Sequence, residues 1–148
     1  MSARIPSDLS FILNGLYLSS VETAMDYNLL KMNGITHIIN LSHIENIFPT
    51  KFTYYRIKID DIPNSNIKQY FPSTFKFIDD ALNKNGKVLV HCTAGISRSA
   101  TIIIAYLMTK LKIPLNQAID YTRTQRSIIA PNPGFINQLY EYYLTLIA

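Results

Sequence analysis

His91-Cys92-Thr93-Ala94-Gly95-Ile96-Ser97-Arg98-Ser99 contains the only cysteine of the chain and lies between two runs of opposite habit. Before it, Lys87-Val88-Leu89-Val90 is short, apolar and β-branched, and reads as a strand. After it, Ala100 to Lys112 is long and continuously apolar, and reads as a mostly buried helix. A strand that turns tightly into a helix aims several backbone N–H groups, and the positive end of the helix dipole, at one point. That point wants an anion. Arg98 indicates the same thing, because a cation at a helix start is opposed by the dipole unless negative charge accompanies it.

Outward from this stretch, strand-like and helix-like segments alternate. Downstream, Pro114 opens a helix over Leu115 to Gln125 with Leu115, Ala118, Ile119 and Thr122 inward. Arg126 to Pro133 is irregular, and Gly134 to Ile147 is a helix whose stripe is Phe135, Leu139, Tyr142, Tyr143 and Leu146. Upstream, Ile67 to Lys84 has helical spacing, with a break or fresh start at Pro72, and ends at Asn85-Gly86. Asp60 to Asn66 is turn chemistry. Phe52 to Ile59 reads as a strand near an edge, and Ile35 to Leu41 as a central parallel strand, apolar on both faces. Thr23 caps a helix through Met32, stopped by Asn33-Gly34. Phe11 to Leu18 is two strand halves divided by Asn14-Gly15, or one kinked strand. The pattern predicts an α/β fold with a mostly parallel central sheet flanked by helices. Ligands bind at the carboxyl ends of the strands in such sheets, and the loops at Cys92 and Asp60 both follow strands.

With 148 residues, 48% hydrophobic and 16% charged, a single domain over residues 1–148 is expected. The absence of an 18-residue apolar run or a secretion-type N-terminus points to a soluble protein with no membrane insertion, placed in the cytoplasm with the nucleus open to it. One cysteine excludes an internal disulfide and a multi-cysteine zinc site. His37 and His43 lack a metal-ligand partner at i+3 or i+4 and are read as structural or solvent-facing, so neither metal nor cofactor is expected. The net charge of +4 agrees with an anionic substrate. The basic residues are scattered, which argues against a nucleic-acid partner. The oligomeric state is left open.

The small residues between Cys92 and Arg98 let the backbone curl until its N–H groups converge on a dianion. Arg98 can close over it with parallel hydrogen bonds, a geometry lysine lacks. A cysteine sulfur at the foot of this cradle is favoured as a thiolate. The arrangement predicts attack by Cys92 on a phosphate monoester, then hydrolysis of the phosphocysteine. One carboxyl group can serve as acid for the leaving group and then as base for water, and Asp60 and Asp61 are both candidates. Ser99 can assist departure of the sulfur, and His91 can brace the loop from behind. Arg123 and Arg126 can complement a helix C-terminus.

This stretch resembles the Cys-x5-Arg signature of protein tyrosine phosphatases, in the Ala-Gly-x-Ser-Arg-Ser form of dual-specificity phosphatases. Asn14 to Leu18, Gly34 to Asn40, Ala105 to Met108 and Pro131-Asn132-Pro133-Gly134-Phe135 are similar to that family as well, so the resemblance covers nearly the whole chain. It implies a phosphatase-like sheet with a strand–phosphate loop–helix site and phosphorylated proteins as substrates. Cys92 becomes the nucleophile, Arg98 the clamp and Ser99 the assisting hydroxyl. The amides of Thr93, Ala94, Gly95, Ile96, Ser97 and Arg98 become the cradle, with His91 and Asn132 supporting. Alignment of the acidic loop implies Asp61 over Asp60 as the acid, and Arg126 falls where some relatives place an arginine for a second phosphate. A chain of 148 residues is expected to be too short for the amino-terminal docking domain of some relatives, and for the pocket-deepening segments of strictly tyrosine-specific relatives, which also carry Gly-Arg-Thr where this chain has Ser97-Arg98-Ser99, so the resemblance implies a small, atypical member with a shallow pocket admitting phosphoserine and phosphothreonine.

Two other readings compete. The same mechanism could act on a phosphoinositide, a phosphoglycan or an RNA 5′ end, although lipid-directed relatives usually carry lysines inside the loop and this one has none. A non-catalytic phosphate-binding module is the other, although such relatives commonly lose the cysteine or the arginine.

Overall fold

A computed structural model describes residues 8–148. Among these residues five strands form one sheet: β1 (Ser10–Leu13), β2 (Leu16–Ser19), β3 (His37–Asn40), β4 (Thr53–Arg56) and β5 (Val88–His91), in the order β1-β2-β5-β3-β4. Only β1 and β2 are antiparallel; the remaining pairings are parallel. The six helices among the described residues are α1 (Val21–Ala24), α2 (Tyr27–Met32), α3 (Phe71–Asn83), α4 (Arg98–Leu111), α5 (Leu115–Gln125) and α6 (Pro133–Ile147), with a 3₁₀ turn at Lys68–Tyr70 ahead of α3. This is the mostly parallel α/β sheet that the alternation of segments predicts.

Period-2 alternation explains how the sheet is covered on both faces. Val88 and Val90 of β5, Ile39 of β3 and Leu16 and Leu18 of β2 pack into the larger core with α3, α4, α5 and α6. Leu89 and Ile38 face the other way, into a smaller core with Ala24, Leu30 and Phe52. The segment expected to be central, β3, lies one place from the edge, and β5 occupies the middle, buried at every residue. β4 is the edge, as its alternation suggests.

Several boundaries move. The Phe11–Leu18 segment is a hairpin, turned at Gly15, whose φ is +87° and where a Cβ would lie 2.7 Å from Leu82 Cδ2. The expected single helix from Thr23 to Met32 is two. Asp26 starts the second by accepting the Leu29 N–H at 3.1 Å, while Thr23 is buried inside α1 and donates its hydroxyl to Asp8. Pro72 lies in the first turn of α3, where its missing N–H costs nothing. Of the α6 stripe, Phe135 and Leu139 are fully buried and Leu146 is exposed. No helix among the described residues is long and apolar enough to cross a membrane.

Candidate active site

α4 begins at Arg98, earlier than the apolar run alone suggests, so Arg98 and Ser99 belong to its first turn. Burial of Ile102, Ile103, Ile104 and Leu107, each worth roughly 1.5–3 kcal/mol, seats this helix under the sheet. Its N-terminus is thereby fixed beside the end of β5. Between them Cys92 to Ser97 forms the turn.

The direction of each peptide in that turn is set from outside. A trans peptide places its C=O opposite its N–H, so a carbonyl held outward aims the next N–H inward. Thr93 O accepts from Val21 N–H at 3.0 Å, and Ile96 O from Ala130 N–H at 2.8 Å. Arg126 holds the two between them, with Nη2 donating to Ala94 O at 3.1 Å and Nε to Gly95 O at 2.8 Å. Ser97 O is taken up by Thr101 N–H and hydroxyl at 2.9 and 2.8 Å. His91 Nδ1 lies 3.2 Å from Cys92 O. Each amide from Thr93 through Arg98 therefore points away from the partner that holds the carbonyl before it. Gly95 is required twice over: its φ is +69°, and a Cβ would come within 2.7 Å of the Ser19 backbone.

Cys92 is 2% exposed, and its Sγ lies 3.1 Å from Ser99 Oγ. Arg98 is 6% exposed. Its Nη1 donates to Leu41 O at 3.0 Å and Ile59 O at 2.9 Å, carbonyls just beyond β3 and β4, and its Nη2 donates to Thr93 Oγ1 at 3.0 Å. Nε is buried and has no protein acceptor among the described residues. A guanidinium N–H left unsatisfied in the interior is costly, and an anion oxygen is the group that would satisfy it. Burial, together with the Arg98 charge, pushes the His91 imidazole down to about 4, against a weaker opposing effect of its bond to Cys92 O. His91 is thus neutral, and its Nδ1–H donates to that carbonyl.

The geometry separates the two aspartates. Asp60 faces His43, Oδ1 to Nε2 3.1 Å, and both side chains are exposed. Asp61 accepts from Asn132 Nδ2 at 2.9 Å. Asn132 also caps α6, its Oδ1 accepting Phe135 N–H at 2.9 Å, and its backbone N–H donates to Ser97 Oγ at 3.0 Å. One residue thus ties the acidic loop to the phosphate loop. Gly134 lets the two segments meet, since a Cβ there would lie 2.1 Å from Pro63 O.

Arg126 does not face a second phosphate. It is 6% exposed, and its donors go to Gly95 O, Ala94 O and Asp8, behind the loop. Its reading as a helix-end charge is also incomplete, because its role depends on the tertiary approach of the turn. Asp8, Val21, His43 and Ala130 are contacts that no local motif marks.

The family model "Dual specificity phosphatase, catalytic domain" matches residues 16–145. The chain belongs to this family. It is 44% identical over 128 residues to mouse dual specificity protein phosphatase 19, covering 86% of this chain and 58% of that protein. It is 41% identical over 133 residues to dual specificity protein phosphatase 1 of Arabidopsis thaliana, covering 89% and 67% respectively. Among solved structures it is similar to the human tyrosine phosphatase-like serine/threonine/tyrosine-interacting protein, with a TM-score of 0.91 and 40% identity, covering 95% of this chain and 98% of that one. The dual specificity phosphatase fold is thus shared over nearly all of the chain, while the chain spans little more than half the length of the mouse relative.

Proposed function

We propose that this chain removes phosphate from phosphotyrosine, phosphoserine and phosphothreonine in proteins by way of a phosphocysteine, needing no metal. The carrying observation is the buried Arg98 Nε without a protein acceptor among the described residues, in the helix turn that also sets Ser99 Oγ 3.1 Å from the Cys92 sulfur. Oriented donors already in place at the position of developing negative charge are the usual main source of rate enhancement.

The phosphate dianion is held by the Thr93–Arg98 amides and by Arg98. The Cys92 thiolate attacks phosphorus while the ester P–O bond breaks. Asp61 donates the proton to the departing phenoxide or alkoxide. Asn132 Nδ2–H occupies Oδ1, so Oδ2 is the oxygen that carries this proton. Asp61, now a carboxylate, takes a proton from water as the water oxygen attacks the phosphocysteine. The S–P bond breaks, the Ser99 hydroxyl donates to the returning thiolate, and inorganic phosphate leaves. Phosphoprotein substrates are favoured over phosphoinositides by the absence of lysine from Thr93 to Ser97.

The test is hydrolysis of an aryl phosphate in the presence of a chelator. Cys92→Ser should abolish it, and Arg98→Lys should lower kcat/KM by about 10²–10³. Undiminished turnover by Cys92→Ser would refute the mechanism. A panel of phosphopeptides beside phosphoinositides tests the substrate class, and preference for the lipids would refute that part.

A further inference from the structure

Asp8 precedes residues 16–145, the part matched by the family model, yet its carboxylate lies directly behind the phosphate loop. Oδ1 is 2.7 Å from Arg126 Nη1, and Asp8 O accepts from the same nitrogen at 2.9 Å. Oδ2 accepts the Ser20 N–H at 2.8 Å, the Ser20 hydroxyl, and the Thr23 hydroxyl at 3.2 Å. One oxygen thus holds the guanidinium that turns Ala94 O and Gly95 O outward. The other holds the start of α1, which presents Val21 N–H to Thr93 O.

We propose that Asp8 is a positioning residue of the phosphate cradle, acting through Arg126 and α1 to keep the amides of Ala94, Gly95 and Ile96 aimed at the bound oxyanion. This rests on the reading of the Cys92–Arg98 loop as the phosphate site. Without the carboxylate, Arg126 is a buried cation lacking its counter-ion, which must reorient or draw in water. Its two carbonyl contacts then loosen. A peptide released in this way can rotate, removing an N–H from the cradle and turning a carbonyl oxygen toward the anion. Gly95 offers little steric resistance to that rotation, because it lacks a Cβ. Burial opposes the Asp8 charge, but the hydrogen bonds from Ser20 and the Arg126 guanidinium outweigh it, holding the carboxyl below the usual carboxylate range. The ion pair is therefore present at neutral pH.

The effect should fall on oxyanion binding and leave proton donation to the leaving group alone. Calorimetric titration of the full chain with tungstate, an oxyanion that needs no turnover, reads the first. The slope of log kcat/KM against leaving-group pKa reads the second. Asp8→Asn should weaken tungstate binding about tenfold, the scale for loss of an outer partner that orients a ligand group, with an unchanged slope. Asp8→Glu should restore part of the affinity. Asp8→Asn combined with Arg126→Met should weaken binding by less than the product of the two single losses, since the part that runs through the Asp8–Arg126 contact is lost only once while the part through α1 remains. If Asp8→Asn does not fold, the Ser20→Ala and Thr23→Val double variant, which keeps the ion pair, carries the same titration and should also bind more weakly. A folded Asp8→Asn or double variant that binds tungstate within about twofold of the parent overturns the proposal, as does full additivity with Arg126→Met. A parent chain that binds no tungstate overturns the phosphate-site reading itself, a result distinguishable from the others.

Discussion

His91 should make this protein less stable in mild acid by an amount that can be measured. The side chain is 3% exposed at the end of the central strand, and its imidazole is pushed from 6.5 down to about 4. Above pH 6.5 the ring is neutral in both folded and unfolded chains, and titration has no effect on stability. As the pH falls below 6.5 the unfolded chain takes up a proton that the folded chain refuses until about pH 4, so stability declines across that window. Each pH unit within it is worth about 1.4 kcal/mol. The whole interval therefore costs about 3 kcal/mol, or roughly 6–12 °C in Tm for a chain of this size. Urea unfolding at half-unit steps from pH 7.5 to 4, on the parent and on His91→Gln, isolates the effect. His37, also shifted downward by burial and by Lys84, contributes to both curves and cancels, and Asp8 titrates below the window. The parent should lose about 3 kcal/mol more than the variant between pH 7 and 4. Parallel curves, or an NMR titration of the His91 ring near its ordinary value, would refute the reasoning.

Asp61→Asn should reduce turnover of phosphoserine peptides by about 10²–10⁴ and of aryl phosphates with acidic leaving groups much less, whereas Asp60→Asn, which disturbs only an exposed pair with His43, should stay within a few-fold; steady-state rates across leaving groups distinguish them. Ser99→Ala removes the hydroxyl 3.1 Å from the Cys92 sulfur. It should slow the second half-reaction, seen as a burst of aryl alcohol followed by a lower steady state. Gly134→Ala places a methyl group where Pro63 O would be 2.1 Å away. About 1–3 kcal/mol should be lost in denaturant unfolding, and kcat should fall more for poor leaving groups as the Asp61 loop is pushed aside.

Some of these features are local and others are not, and legibility follows that division. The strand Val88–His91, the turn and the helix Arg98–Leu111 are contiguous, so their periodicity and small residues reveal them directly. Ser99 beside Cys92 follows from helical geometry, since a first-turn side chain looks back along the axis. The α1–α2 break has no local signal, because Thr23 and Asp26 are both good caps by residue type. Which one serves depends on Thr23 being engaged by Asp8, a residue distant in sequence. Arg126 depends on distant contacts in the same way. Its neighbours in sequence suggest a surface cation at a helix end, and only the return of that turn to Ala94 and Gly95 makes it a brace.

By itself the sequence determined the alternation of strands and helices, the anion-seeking turn with its cysteine and arginine, and a short list of acids. These depend on residue type and on spacing along the backbone. The tertiary structure alone decided between Asp60 and Asp61 as the partner of Asn132, directed Arg126 inward to the loop carbonyls, and recruited Asp8 behind them. Side chains far apart in the chain acquire such roles only when the sheet order β1-β2-β5-β3-β4 brings their loops to one edge, where buried donors and charges must find partners.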